Sequence, residues 1–223
     1  MKQSIVVDQL KRLGKIENPP VKDIVPSPQE WNYRNTVQFH LSLNGKLGYQ
    51  RAGAHGVVEI SECHLPLPQI NTLWPRLELD PEAGIQRVSI RCGSDDELLV
   101  GLESSQTQPP DFEVDFPLSV VYLGPDDPLL LSGEDYTLMQ VRGRTFRVSA
   151  ASFFQVNLPQ AEAMVEHVLT GLKVSQKDLV VDAYCGAGLF SAFLAPKVKE
   201  LVGIELAESS CNDFAANLNE FDN

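Results

Sequence analysis

The chain has 223 residues, 43% of them hydrophobic and 22% charged, which is the composition of a globular core of one large or two small domains. No apolar run approaches the roughly 20 residues of a membrane helix, and the segment from Met1 to Lys15 lacks the apolar centre and cleavage site of a secretory signal, so a cytoplasmic chain without a membrane segment is expected. A formal net charge of -12 excludes gripping nucleic acid by bulk electrostatics, so any RNA contact needs a local basic face.

Along the chain, Ile5, Val6, Gln9, Leu10 and Leu13 recur at helical spacing, with Gly14 placed to cap. The four prolines between Asn18 and Pro28 exclude a helix and mark an extended connector ending near Glu30. Alternation over Thr36 to Leu43, the Asn44-Gly45 dipeptide and Lys46 to Gln50 predict a β-hairpin. Val57 to Ile60 reads as a third strand, and Leu67 to Leu77 as a short helix begun among prolines. Further strands are expected at Gln86 to Arg91, Glu97 to Leu102, Leu118 to Leu123 and Thr137 to Val141, giving a mostly antiparallel middle region.

The texture changes after Arg147. Asn157 and Pro159 open a helix whose apolar face is Ala161, Met164, Val165, Val168, Leu169 and Leu172. Leu179 to Asp182 follows as a short buried-type strand, then a glycine loop, a helix over Leu189 to Leu194 and a second apolar strand, Leu201 to Glu205. Helix, strand, glycine loop, helix, strand is the start of a parallel doubly wound α/β sheet. The expected divisions are a helix over 1–16 packing on the last part, a central α+β domain over 17–147 and a half Rossmann-like domain over 148–223.

The chemistry is carried by the run from Val181 to Ser191 together with Glu205. Gly186 and Gly188 allow a tight turn and room for a ligand, while Glu205 at the second strand tip can accept from both hydroxyls of a ribose. A dinucleotide site wants glycine or alanine at position 191, where this chain has Ser191, and has no use for an acid at Asp182 facing a pyrophosphate. An acid there suits the positive amino and sulfonium groups of S-adenosylmethionine, directly or through the loop it organises, so S-adenosylmethionine is favoured over NAD.

Cys63, Cys92, Cys185 and Cys211 form no CxxC pair and have no histidine at ligand spacing, so neither a metal site nor a disulfide framework is expected. Ser210-Cys211-Asn212 lacks a following proline and falls in an expected helix, and Cys185 reads as a packing residue. Arg142, Arg144 and Arg147 sit on near-alternate positions of an expected strand and, with Lys46 and Arg51, form the candidate basic face, weighed against plain solvated surface.

Ser152 to Asn157, Gln160-Ala161-Glu162, Asp182 to Gly188 and Val202 to Glu205 resemble the RNA uracil-C5 methyltransferases that make 5-methyluridine in ribosomal and transfer RNA. Tyr33-Arg34-Asn35, Gly45 to Tyr49 and Glu62 to Leu65 resemble that family's central domain. The resemblance implies cofactor contacts at Gln155, Tyr184, Leu189 and Glu205, with Leu189 acting through backbone or packing because the family often has a small polar residue there. It implies that Phe153 or Phe154 lies near the substrate base, the alternative being core aromatics. It also implies a cysteine nucleophile adding to uracil C6 and a general base removing the C5 proton, both expected beyond Asn223, with no catalytic residue inside the chain. An amino-terminal barrel and, in many members, an iron–sulfur cluster are expected upstream, which makes the chain a fragment expected to be inactive alone. The other readings are a methyltransferase for a non-RNA substrate and a non-catalytic RNA-binding remnant.

Overall fold

The computed structural model of the chain describes residues 1–53, 56–114 and 116–222. Helix α1 (Lys2–Arg12) forms where the spacing places it, yet none of its residues is buried, and Ile5 and Val6 stay about half exposed. Its anchor is the proline-rich connector: Gln3 Nε2 donates to Asp23 Oδ1 at 3.2 Å and Gln3 Oε1 accepts from the Ile24 N–H at 3.4 Å. These contacts, rather than the expected packing on residues 148–223, hold the helix, because the extended connector leaves polar groups free to pair with it.

Seven strands form one sheet: β1 (Thr36–Leu41), β2 (Leu47–Gln50), β3 (Val57–Glu59), β4 (Ile85–Cys92), β5 (Leu98–Ser104), β6 (Ser119–Leu123) and β7 (Leu129–Ser132), in the order β3-β2-β1-β4-β5-β6-β7. All neighbours are antiparallel except β5 and β6. The expected hairpin turns through Leu43, Asn44 and Gly45, where Ser42 N donates to Lys46 O at 2.8 Å and Gly45 takes φ +72°. Pairing of Phe39 with Val88 and of Val37 with Ile90 puts these side chains on one face, buried with Ile70 of α2 (Pro68–Leu73), Trp74 and Tyr122. The period of two turns Gln38, Arg87, Ser89 and Arg91 to the opposite face.

A second core begins earlier than expected. Strands β8 (Tyr136–Val141) and β9 (Arg144–Ser149) form a hairpin closed by Arg142 and Gly143 at φ +51° and +75°, the signs of a type I′ turn. Met139, Val141, Phe146 and Val148 of this hairpin are buried with Phe154, Leu189 and two residues of α3 (Leu158–Gly171), Ala161 and Val165. The division expected at Arg147 therefore cuts through β9. Apolar packing places it between β7 and β8, since a strand cannot be parted from the core that buries its alternate residues.

Strands β10 (Leu179–Ala183) and β11 (Glu200–Ile204) pair in parallel, with α4 (Ser191–Leu194) between them and α5 (Glu208–Asn217) after them. This is the expected α/β order. The strands are not fully buried as their composition suggests: Leu179, Val181, Val202 and Ile204 are 39 to 57% exposed, because within the described residues one face of the pair has no covering layer. No helix among the described residues is long and apolar enough to cross a membrane.

Candidate cofactor site

Strand β10 ends at Ala183, and the next five residues reverse the chain. Tyr184 and Cys185 both donate their N–H to Ile204 O, at 2.7 and 3.1 Å, so the loop is hooked onto the end of β11. Tyr184, Gly186 and Gly188 take φ of +64°, +54° and +87°, a region that glycine enters without steric penalty. The two glycines differ in reason. A Cβ on Gly188 would lie 2.6 Å from Leu218 Cδ1, whereas a Cβ on Gly186 would meet nothing within 4 Å. Gly188 serves helix packing, and Gly186 borders open space.

Glu205 is the staple of this loop. Its Oε2 accepts the Gly186 N–H at 3.0 Å, while Oε1 accepts those of Leu206 at 2.7 Å and Ala207 at 2.9 Å. The N–H groups of Ala207, Leu206 and Gly186, in that order, hold its carboxyl below the usual glutamate range. Three of roughly four acceptor positions are thus taken. Acceptance from both ribose hydroxyls, as expected from sequence, requires one backbone N–H to be released.

Asp182 accepts the Ser191 hydroxyl at 2.7 Å, and Ser191 is fully buried at the start of α4. The acid therefore works through the loop it organises, and the serine that breaks the dinucleotide pattern is its partner. Cys185 lies beneath the loop. Burial, followed by the charges of Asp182 and Glu205, pushes its thiol up to about 11, so it remains protonated at neutral pH. Tyr184 projects into solvent with 91% of its surface exposed, and Leu189 is buried in the second core, in keeping with a packing role.

Phe153 and Phe154 part company. Phe154 is buried with its ring centroid 5.6 Å from that of Phe146, whereas Phe153 is 67% exposed. Gln155 follows, half buried, its carbonyl accepting Asn35 Nδ2 at 3.0 Å. The arginines expected to face RNA are engaged within the fold. Arg142 pairs with Glu166 and gives its N–H to Glu162 at 2.8 Å; Arg144 pairs with Glu220 and donates to Asn217 O at 2.9 Å. Arg147 bonds Asp213 at 2.5 Å and Asp135 at 3.0 Å. Helix α3, helix α5 and the turn after α5 present Glu166, Asp213 and Glu220 to the hairpin, which strand alternation alone cannot reveal.

Sequence reasoning also missed Asp213 and Asn217 of α5. Asp213 lies two residues past Cys211, in the segment set aside as a false nucleophile motif. Asn217 Nδ2 donates to the carbonyls of Arg147 and Ala187, both at 2.9 Å, joining the hairpin to the glycine loop. Their sequence signal is only a polar residue every four positions on the inner face of a helix.

Residues 132–223 match the family profile of tRNA (uracil-5-)-methyltransferase, a stretch that begins at the end of β7 and takes in the whole second core. Over that stretch the chain is similar to the tRNA (uracil-5-)-methyltransferases. Across its whole length it is 28% identical to an uncharacterized RNA methyltransferase of Streptomyces coelicolor, covering 52% of that protein. A second, from Thermosynechococcus vestitus, is 27% identical over 97% of this chain and 56% of its own. The chain spans about half the length of the curated relatives it matches. Its fold is that of the Pyrococcus abyssi tRNA (uracil-54, C5)-methyltransferase solved with S-adenosyl-L-homocysteine, with a TM-score of 0.71 at 20% identity over 96% of this chain and 59% of that one. Both the seven-stranded sheet and the second core therefore belong to this architecture.

Proposed function

We propose that the chain carries the cofactor-binding loop and an RNA-facing surface of an S-adenosylmethionine-dependent enzyme that methylates C5 of uracil in structured RNA. The observation that carries the reading is the Glu205–Gly186 staple, which sets a carboxylate at the tip of β11 beside a glycine whose open side leaves room for an adenosine. Asp182, fixed by Ser191, adds negative charge at the end of β10, matched to a cationic sulfonium. The residues present fit the cofactor, which when bound supplies an electrophilic methyl group.

The chain's own residues orient and enclose. Glu205 turns one carboxylate position toward a ribose hydroxyl, Tyr184 is free to fold over the purine, and Gln155 follows the buried Phe154 anchor. Exposed Phe153 offers a stacking surface for an unpaired base. Cys185 stays a thiol and takes no nucleophilic part. We assign the nucleophile and the base to no residue of this chain.

The test is calorimetric titration of the chain with S-adenosylhomocysteine, beside Glu205→Ala. Saturable binding in the parent that is lost in the variant supports the reading, and equal binding by both would remove Glu205 from the site.

A further inference from the structure

A groove of about 700 Å³ runs between the polar face of the seven-stranded sheet and the segment 150–156, with Phe153 on its wall. It gathers three arginines in a chain of net charge -12. Arg87 is paired with Glu103, which also accepts from Gln38 at 2.6 Å. Arg34 forms no ion pair and no side-chain hydrogen bond with the described residues, and its Nε is a buried donor without a partner. Arg91 is only 7% exposed; it donates to the carbonyls of Val148, Ser149 and Ser152 at 3.1, 2.7 and 2.6 Å, and its Nε is likewise unpartnered.

A buried guanidinium held through its two terminal nitrogens by carbonyls keeps its charge without a carboxylate in contact. Burial lowers Arg91 to about 10, still cationic at neutral pH, with Asp213 acting on it only at a distance. The groove therefore carries net positive potential beside an exposed aromatic ring, the pairing used to bind single-stranded nucleic acid. Asp126, exposed at its edge, is the one lining carboxylate that no ion pair occupies.

We propose that this groove is a phosphodiester subsite for the RNA strand, in which Arg34 contacts a phosphate oxygen, Arg91 supplies a fixed charge from the wall and Phe153 stacks the adjoining base. The assignment rests on the RNA reading above and adds to it where the strand lies. It also supplies the basic face that the charge balance demands, at positions other than Arg142 and Arg144.

The experiment is fluorescence anisotropy of a labelled uridine-containing RNA stem–loop with the intact chain over a range of salt, comparing Arg34→Gln and Asp126→Asn. Arg34→Gln is expected to weaken binding about tenfold at low salt and to lower the slope of log affinity against log salt by about one. Asp126→Asn is expected to tighten binding, a direction that a folding defect does not produce. RNA binding by the parent with the same affinity and slope in both variants overturns the subsite and leaves the RNA reading standing. No RNA binding by the parent overturns both.

Discussion

Asp213 of α5 holds Ser149 of β9 by two bonds, taking its N–H at 2.8 Å and its hydroxyl at 2.7 Å. The carboxylate has no exposed surface and also pairs with Arg147. Removing it leaves the Ser149 donors without their acceptor and Arg147 with Asp135 as its remaining carboxylate, so Asp213→Ala is expected to destabilise the chain by about 1–3 kcal/mol. Urea unfolding measures this, and a midpoint within experimental scatter of the parent's would refute the clamp.

The glycine loop yields a contrasting pair. Gly188→Ala drives a methyl group to 2.6 Å from Leu218, so loss of thermal stability is expected together with loss of cofactor binding. Gly186→Ala meets no neighbour, so it should cost only about 1 kcal/mol from its positive φ while still blocking the ligand. Melting curves and titration with S-adenosylhomocysteine separate the two effects. Full affinity in Gly186→Ala would show that its open side is not the ligand's.

Glu205 fixes a pH response. Its folded carboxyl is depressed by three N–H groups, so the loop stabilisation it provides is complete above the unfolded glutamate value of about 4.3 and is lost as pH falls through the lower folded value. Affinity for S-adenosylhomocysteine should be level from pH 8 to 5 as far as this residue governs it, with its loss confined to the acid side. Glu205→Gln should lack that acid limb. A transition near pH 6 that disappears in Glu205→Gln would contradict the assignment.

Arg142 is a turn residue. At φ +51° a β-branched side chain is strained, so Arg142→Val is expected to destabilise by about 1–2 kcal/mol, whereas Arg142→Asn suits the turn and should stay within about 1 kcal/mol of the parent. Neither change should alter the salt dependence of RNA binding. A slope reduced by about one in Arg142→Asn would return this residue to the RNA face.

Much of this architecture is readable from local pattern. Alternation marks β1, strand-like runs between turn clusters mark β4 and β6, the asparagine cap and proline mark α3, and Gly186, Gly188 and Glu205 mark the loop, since each signal lies within one element. Strand β7 is missed because Leu129, Leu130 and Leu131 run without alternation between Pro128 and Gly133. The groove is invisible for another reason: Arg34 and Arg91 are 57 positions apart and meet only through sheet pairing next to Thr36 and β4. Arg142 and Arg144 mislead because their carboxylate partners lie later in the chain, Glu166 on α3 and Glu220 in the turn after α5.

The clamp between α5 and β9 joins residues 64 positions apart. A hairpin forms in microseconds, but here its anchoring polar groups wait for a helix that leaves the ribosome several seconds later at ordinary synthesis rates. Until Asp213 and Asn217 arrive, Ser149 and the backbone of Arg147 lack the partners that fix them, so the second core closes after its hairpin has formed.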